Sequence, residues 1–263
     1  MLFVAGNTLK CALRTSEKVI SNNRIPIINF IKEYSKNEKD IYEEYVKILN
    51  SVDRNYKVAL KLSSFNFNED LVNDLVEKYK KKSIKILIDA EDSDNNIKYQ
   101  EISNRLILNH NDELNLIKTY QMYRKDSFNQ LKSDVNLFEK NSKKIGIKMV
   151  RGAYWNNEKF NNQLYTKKYD TDNNYNNAIN FLNEIDTFTI LATHNEKSIK
   201  LGLEKDNDFK FAHLLDMSNK IYNKISKTND VYVYIPYGPY HSMIPYLFRR
   251  LYENIDMLKY MIK

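Results

Sequence analysis

Two adjacent arginines, Arg249 and Arg250, stand in the run Tyr246-Leu247-Phe248-Arg249-Arg250-Leu251-Tyr252-Glu253-Asn254, soon after Ile235-Pro236-Tyr237-Gly238. At helical spacing Tyr246, Arg249, Arg250 and Glu253 share one face, while Leu247, Phe248 and Leu251 supply the packing face. Two guanidinium forks beside a phenol suit a small carboxylate held against an apolar ring. Taken alone, the pair reads more readily as a solvated basic face on a surface helix. Its meaning depends on what else the fold brings to it.

The elements that would position it form a regular series. Short β-rich runs occur at Pro26–Ile31, Val58–Ser63, Ile84–Asp89, Leu114–Tyr120, Gly146–Val150, Thr187–Ala192, Phe209–Leu214 and Val231–Ile235. Between them lie segments long enough for helices. Asn68 to Val76 opens with an asparagine cap and early acids, and Asp126 to Phe138 and Asn173 to Leu182 show amphipathic spacing. Leu9 to Ser21 reads as a helix before the first strand. Alternating β and α units of this number predict a (β/α)₈ barrel, with an open doubly wound sheet as second choice. No linker or repeat divides the chain, so residues 1–263 read as one barrel domain.

A barrel of this kind carries its chemistry at the C-terminal ends of its strands. The residues there are Lys61, Asp89 with Glu91, Gln121, Arg151, Thr193 with His194 and Asn195, and Tyr234, with Glu33 just past the first strand. Each has a bland reading, such as a surface lysine or a helix cap. Together they would ring one mouth with groups able to ionise or hydrogen-bond.

Bulk composition narrows the class. The 263 residues are 42% hydrophobic and 13% aromatic, the balance of a globular chain. A net charge of +7 invites a nucleic-acid reading. The lysines, however, are scattered, and neither a basic stripe nor an RNA-binding aromatic motif accompanies them. Cys11 is the only cysteine and the four histidines have no metal-ligand spacing, so neither a disulfide framework nor a metal site is expected. No apolar run approaches the ~18 residues that span a bilayer. The N-terminus has no signal-peptide pattern, and an intracellular protein is expected. With no G-x-G-x-x-G or Walker loop, a Rossmann or P-loop site has no support. Only five glycines occur, and Gly152 and Gly238 fall inside the strongest motifs.

Those motifs carry a family resemblance. Lys148-Met149-Val150-Arg151-Gly152-Ala153-Tyr154-Trp155, Ala192-Thr193-His194-Asn195 and the Tyr246 to Asn254 helix resemble proline dehydrogenases, flavin-dependent enzymes that oxidise proline to pyrroline-5-carboxylate. Weaker matches are Lys61-Leu62-Ser63, Ile88-Asp89-Ala90-Glu91, Thr119-Tyr120-Gln121-Met122-Tyr123 and Lys168 with Thr171-Asp172. They follow family order from about Phe3 onward and look closer to the mitochondrial branch than to the common bacterial one. The resemblance implies a distorted (β/α)₈ barrel with non-covalent FAD, proline as substrate, a quinone-type acceptor and peripheral membrane contact. The compartment it implies is cytoplasm or mitochondrial matrix, with no targeting peptide evident.

Carried over by position, the resemblance makes Lys61, Asp89, Tyr234, Arg249 and Arg250 the catalytic set, the arginines and Lys61 clamping the carboxylate. Ala153, Tyr154, Leu214 and Tyr246 would wall the proline ring, and Glu33 would pair with Arg249 as a gate. Gln121, Arg151, Trp155, Lys168, Thr193, His194 and Glu253 would hold FAD, with Arg151 near the reactive edge of the flavin. Tyr246 favours proline over hydroxyproline, since relatives preferring the latter tend to carry a smaller residue there. Where the mitochondrial branch has Gln-Leu-Leu-Gly, this chain has His213-Leu214-Leu215-Asp216. That departure leaves open a non-catalytic flavin or proline sensor. An unrelated barrel hydrolase or aldolase, with Lys61 as a Schiff-base former, is a third reading.

Overall fold

The computed structural model describes residues 3–32, 37–154, 158 and 162–253, of which 248–253 are described by backbone alone. Eight parallel strands close into a barrel in sequential order: β1 (Ile25–Phe30), β2 (Lys57–Lys61), β3 (Lys85–Asp89), β4 (Leu116–Gln121), β5 (Gly146–Val150), β6 (Phe188–Ala192), β7 (Lys210–Leu214) and β8 (Val231–Tyr237). Outside them run α1 (Leu9–Ser21), α2 (Glu38–Ser51), α3 (Glu69–Lys81), α4 (Asn96–His110), α5 (Ser127–Lys140), α6 (Lys168–Asn183), α7 (Glu196–Leu203), α8 (Asn219–Ile225) and α9 (Tyr240–Glu253).

The expected runs and the observed strands agree in number and order, and their edges shift for local reasons. Leu114 cannot open β4, because it takes a left-handed turn at φ 56 and the side chain of Asn111 accepts the Leu116 N–H. After Lys61 the chain tightens into a 3₁₀ turn, Leu62–Phe65, which ends β2 early. β8 runs on to Tyr237, with Asn29 and Phe30 of β1 opposite Pro236 and Tyr237. Tyr234 therefore stands within the strand instead of at its end. Helix starts follow their caps: Asn68 accepts from the Leu71 N–H and Asn195 from the Ser198 N–H.

Strand periodicity decides what fills the barrel. Ile27, Ala59, Leu87, Ile117, Ile190, Ala212 and Tyr232 point inward and form an apolar floor. Two residues further along, on the same face, come Lys61, Asp89, Thr119, Ala192, Leu214 and Tyr234. The floor excludes water from below, and the layer above it is where polar side chains gather. Outward-facing residues pack against the helices, and β4 is fixed there by a buried ion pair. The Lys118 ammonium, fully buried, donates to Asp134 at 2.7 Å and to Asn104 at 2.5 Å, and the Tyr120 hydroxyl donates to Asp134 at 2.9 Å.

Candidate functional site

The layer above the floor opens into a cavity of about 680 Å³ at the C-terminal ends of the strands. Every site residue carried over from the family resemblance whose side chain the structure describes lines this one cavity, whereas Glu91, expected at the same mouth, is buried behind it. Lys61, Asp89, Gln121, Arg151, Ala153 and Tyr154 come from β2 to β5 and the segments after them. Lys168, Thr193, His194, Leu214, Tyr234 and Tyr246 complete the wall. Glu33 and Trp155 lie outside the described residues. Arg249, Arg250 and Glu253 belong to the backbone of α9, and their side chains are likewise outside the description.

At the centre is a triad that links three strands. Lys148 of β5 donates to Asp89 Oδ1 at 2.5 Å and also to the Tyr234 hydroxyl, which itself donates to Asp89 Oδ1 at 2.8 Å. The ammonium also lies 4.5 Å from the centre of the Tyr234 ring. Burial pulls the Lys148 ammonium below the ordinary lysine range, with Asp89 opposing the shift. The Tyr234 hydroxyl is pushed well up by burial and by the Asp89 charge, so it stays protonated and donates. Lys148 is the residue that sequence reasoning left out of the site. Its signal was the inward phase of Gly146, Lys148 and Val150 between outward Ile147 and Met149, which placed a cation inside the barrel.

A second cation stands on the next strands. Lys61 donates to the Tyr154 hydroxyl, lies 5.0 Å from that ring and sits 3.6 Å from the carboxylate of Glu91. Gln121 donates to the Glu91 carbonyl at 2.7 Å and accepts from the Ala153 N–H at 3.3 Å.

The opposite flank is built around Arg151. Its guanidinium donates to Asp172 at 2.7 Å, to Ser198 at 2.9 Å and to Thr193, and it rests over the Tyr175 ring at 4.5 Å. The fork therefore knits the end of β5 to α6, the end of β6 and α7. Lys168, the first residue of α6, and His194, held by the Ser218 hydroxyl at 3.1 Å, line the same flank. Gly152 follows at φ 142, where an added Cβ would fall 2.3 Å from the Tyr123 ring. At Gly238, φ 156, a Cβ would meet the Ile31 carbonyl at 2.7 Å. Both motif glycines occupy positions that a side chain would disrupt.

The two unusual residues after β7 have physical accounts. Asp216 takes φ 63, the left-handed conformation that glycine adopts freely and aspartate tolerates better than most residues. His213 stacks on Tyr222 of α8 with ring centres 4.4 Å apart, donates to the Leu214 carbonyl at 2.9 Å, and accepts from Arg24 at 3.1 Å. Burial, with the Arg24 charge adding, depresses its pKa to about 3. The residue is part of the cavity lining, and its ring is a neutral strut there.

Comparison with known proteins names the architecture. The family model described as proline dehydrogenase matches residues 12–262. "Proline dehydrogenase 1, mitochondrial" of Dictyostelium discoideum is 31% identical over 199 residues, which are 66% of this chain and 35% of that protein. "Proline dehydrogenase 2, mitochondrial" of Arabidopsis thaliana is 34% identical over 201 residues, 67% of this chain and 42% of that one. Hydroxyproline dehydrogenase of Mus musculus is 31% identical over 163 residues, covering 54% of this chain and 36% of its own. The chain thus spans well under half the length of these relatives. Among solved structures, proline utilization A from Bdellovibrio bacteriovorus superposes with a TM-score of 0.90 at 19% identity, over 96% of this chain and 32% of that one. At that identity the likeness speaks for the fold.

Proposed function

Because the chain belongs to the proline dehydrogenase family, we propose that it oxidises L-proline to 1-pyrroline-5-carboxylate with non-covalent FAD and passes the electrons to a quinone-type acceptor. In this reading residues 1–263 act as one dehydrogenase barrel, with peripheral membrane contact where the acceptor resides. No helix among the described residues is long and apolar enough to cross a membrane. The names of the relatives favour the mitochondrial compartment over the cytoplasm.

The residues present fit such a cofactor. One flank offers Arg151, Lys168, Thr193 and His194, a donor set suited to a diphosphate and its adenosine. In the wall above the floor, Thr119 Oγ1 is buried without a hydrogen-bond partner, an orphan that a bound polar ring edge would satisfy. A cavity of about 680 Å³ accommodates an elongated ligand with a small substrate beside it. When bound, the flavin would supply the two-electron acceptor.

What the chain's own residues would do follows from their geometry. Lys61, with Arg249 and Arg250 from α9, would bind the carboxylate. Leu214, Tyr154 and Tyr246 would wall the ring and keep water from it. Asp89, its Oδ1 held by Lys148 and Tyr234, would accept a hydrogen bond from the secondary amine on its other oxygen and orient the lone pair of that amine. The arginine fork of Arg151 is committed to Asp172, Thr193 and Ser198. We therefore read it as the brace of the diphosphate flank, and Lys148 as the cation beside the reacting centre.

The observation that carries this reading is the Lys148–Asp89–Tyr234 triad lying in one cavity with Lys61 and Tyr246. A second substrate, hydroxyproline, is raised by the similarity to a hydroxyproline dehydrogenase. Tyr246 lines the cavity, and the bulk of its ring there favours proline over the hydroxylated substrate. The test is the visible spectrum of the purified protein, followed anaerobically as L-proline is added. Bleaching of a flavin spectrum is expected. A flavin that hydroxyproline bleaches and proline does not would reassign the substrate, and a protein that takes up no FAD would end the proposal.

A further inference from the structure

Glu91 has the geometry of a hub. Its side chain is fully buried, two residues beyond the end of β3. One carboxylate oxygen accepts the Ser63 N–H at 2.8 Å, just after β2, and the other faces the Lys61 ammonium at 3.6 Å. Its carbonyl accepts from Gln121 at the end of β4, and Gln121 in turn accepts the Ala153 N–H after β5. One residue thus ties the C-terminal ends of β2, β3, β4 and β5, the half of the rim that carries Lys61, Asp89, Gln121 and Tyr154.

A buried carboxylate is retained in a fold only where it is paired and hydrogen-bonded, because desolvating an anion is otherwise too costly. Here the pairing points at the substrate side. Lys61 is 13% exposed by side chain, toward the cavity, and Glu91 is behind it. Without a fixed counter-charge, a lysine at such a mouth would sample many rotamers and lose entropy on meeting a ligand.

We propose that Glu91 is the positioning residue for Lys61, holding its ammonium aimed at the place the substrate carboxylate takes. This rests on the reading of the cavity as a proline site. Glu91 itself touches neither substrate nor cofactor in this assignment; it acts through Lys61.

A double-mutant cycle separates this role from general support of the barrel. The flavin-loaded enzyme, Glu91→Gln, Lys61→Met and the double variant are assayed with L-proline, with flavin content measured in each. Glutamine keeps the acceptor for the Ser63 N–H and removes only the charge. Either single change is expected to raise KM about tenfold, equivalent to about 1.4 kcal/mol, with a much smaller change in kcat. The double variant is expected to match Lys61→Met within about twofold. Effects that multiply to about a hundredfold in KM would overturn the proposal, since two independent contributions add in free energy. Should Glu91→Gln not fold, Glu91→Asp retains the charge at a longer reach. A raised KM with kcat preserved supports the role, and a fallen kcat at unchanged KM overturns it. A wild-type protein whose flavin proline does not reduce would instead sink the functional reading, a different outcome from additive effects in an active enzyme.

Discussion

Removing the hydroxyl of Tyr234 tests the central triad with little collateral change. In Tyr234→Phe the ring keeps its place packed on the barrel floor and beneath the Lys148 ammonium, 4.5 Å from its centre. Only the oxygen is lost. That oxygen donates to Asp89 Oδ1 at 2.8 Å and accepts from Lys148, so its removal takes one hydrogen bond from a carboxylate and one acceptor from a buried cation. A hydrogen bond to a charged group contributes about 1.5–3 kcal/mol. If Asp89 orients the substrate amine, that range translates to a fall of roughly 10- to 150-fold in kcat/KM for proline. Lys148 keeps Asp89 at 2.5 Å, so the cost to stability is expected to be smaller, about 1–2 kcal/mol. Anaerobic stopped-flow reduction of the bound flavin gives the first quantity and urea unfolding the second. A reduction rate within twofold of wild type, in a variant that is measurably less stable, would show that the triad supports the barrel and does not direct the chemistry.

His213 makes a pH prediction whose sign is fixed by its neutral burial between Arg24, Tyr222 and the Leu214 carbonyl, with His194 nearby. The unfolded histidine takes up a proton below about pH 6.5 and the folded one only near 3, so stability is full above 6.5 and is lost as pH falls. His213→Gln is therefore expected to flatten the pH dependence of unfolding free energy by about 1.4 kcal/mol per unit between about pH 4 and 6, measured by urea titration; an unchanged slope would refute the assignment. Asp216→Gly relieves the left-handed backbone at φ 63 and is expected to be neutral or stabilising by up to about 1 kcal/mol in the same assay. A clear loss of stability would reveal a contact made by the carboxylate.

Much of this architecture was legible in the residues because two periodicities were strong. The runs from Pro26 to Ile235 alternate with helical segments, and their count alone pointed to the closed barrel that is observed. Gly146–Val150 matches its strand to the residue, since Gly146 packs against the Leu116 carbonyl and Val150 is followed at once by the turn at Gly152. Strand ends were less legible where a turn competes with the ladder. The left-handed Leu114 and the 3₁₀ turn after Lys61 are decided by backbone and side-chain hydrogen bonds that a propensity does not encode. In the cavity wall, most of the polar strand-end residues named from the sequence come together, while Glu91 is buried behind them and Lys148 was passed over because it lies two residues inside its strand.

That oversight bears on how the site works. Residues at the rim are placed by loops, whereas Asp89, Lys148 and Tyr234 are placed by strands, one layer above a dry floor of Ile27, Leu87, Ile117 and Ile190. A cation, an anion and a phenol so held cannot relax away from one another, and water cannot reach them from below. The rim then has freedom to vary. Aspartate at position 216 keeps a backbone that glycine would take, and His213, though part of the cavity lining, has both ring nitrogens satisfied by Arg24 and the Leu214 carbonyl. Neither residue hydrogen-bonds the triad, so the departures from the mitochondrial pattern weigh more on stability and loop geometry than on the proposed reacting centre. This is the physical reason for preferring an active dehydrogenase over a sensor that has kept the fold and lost the chemistry.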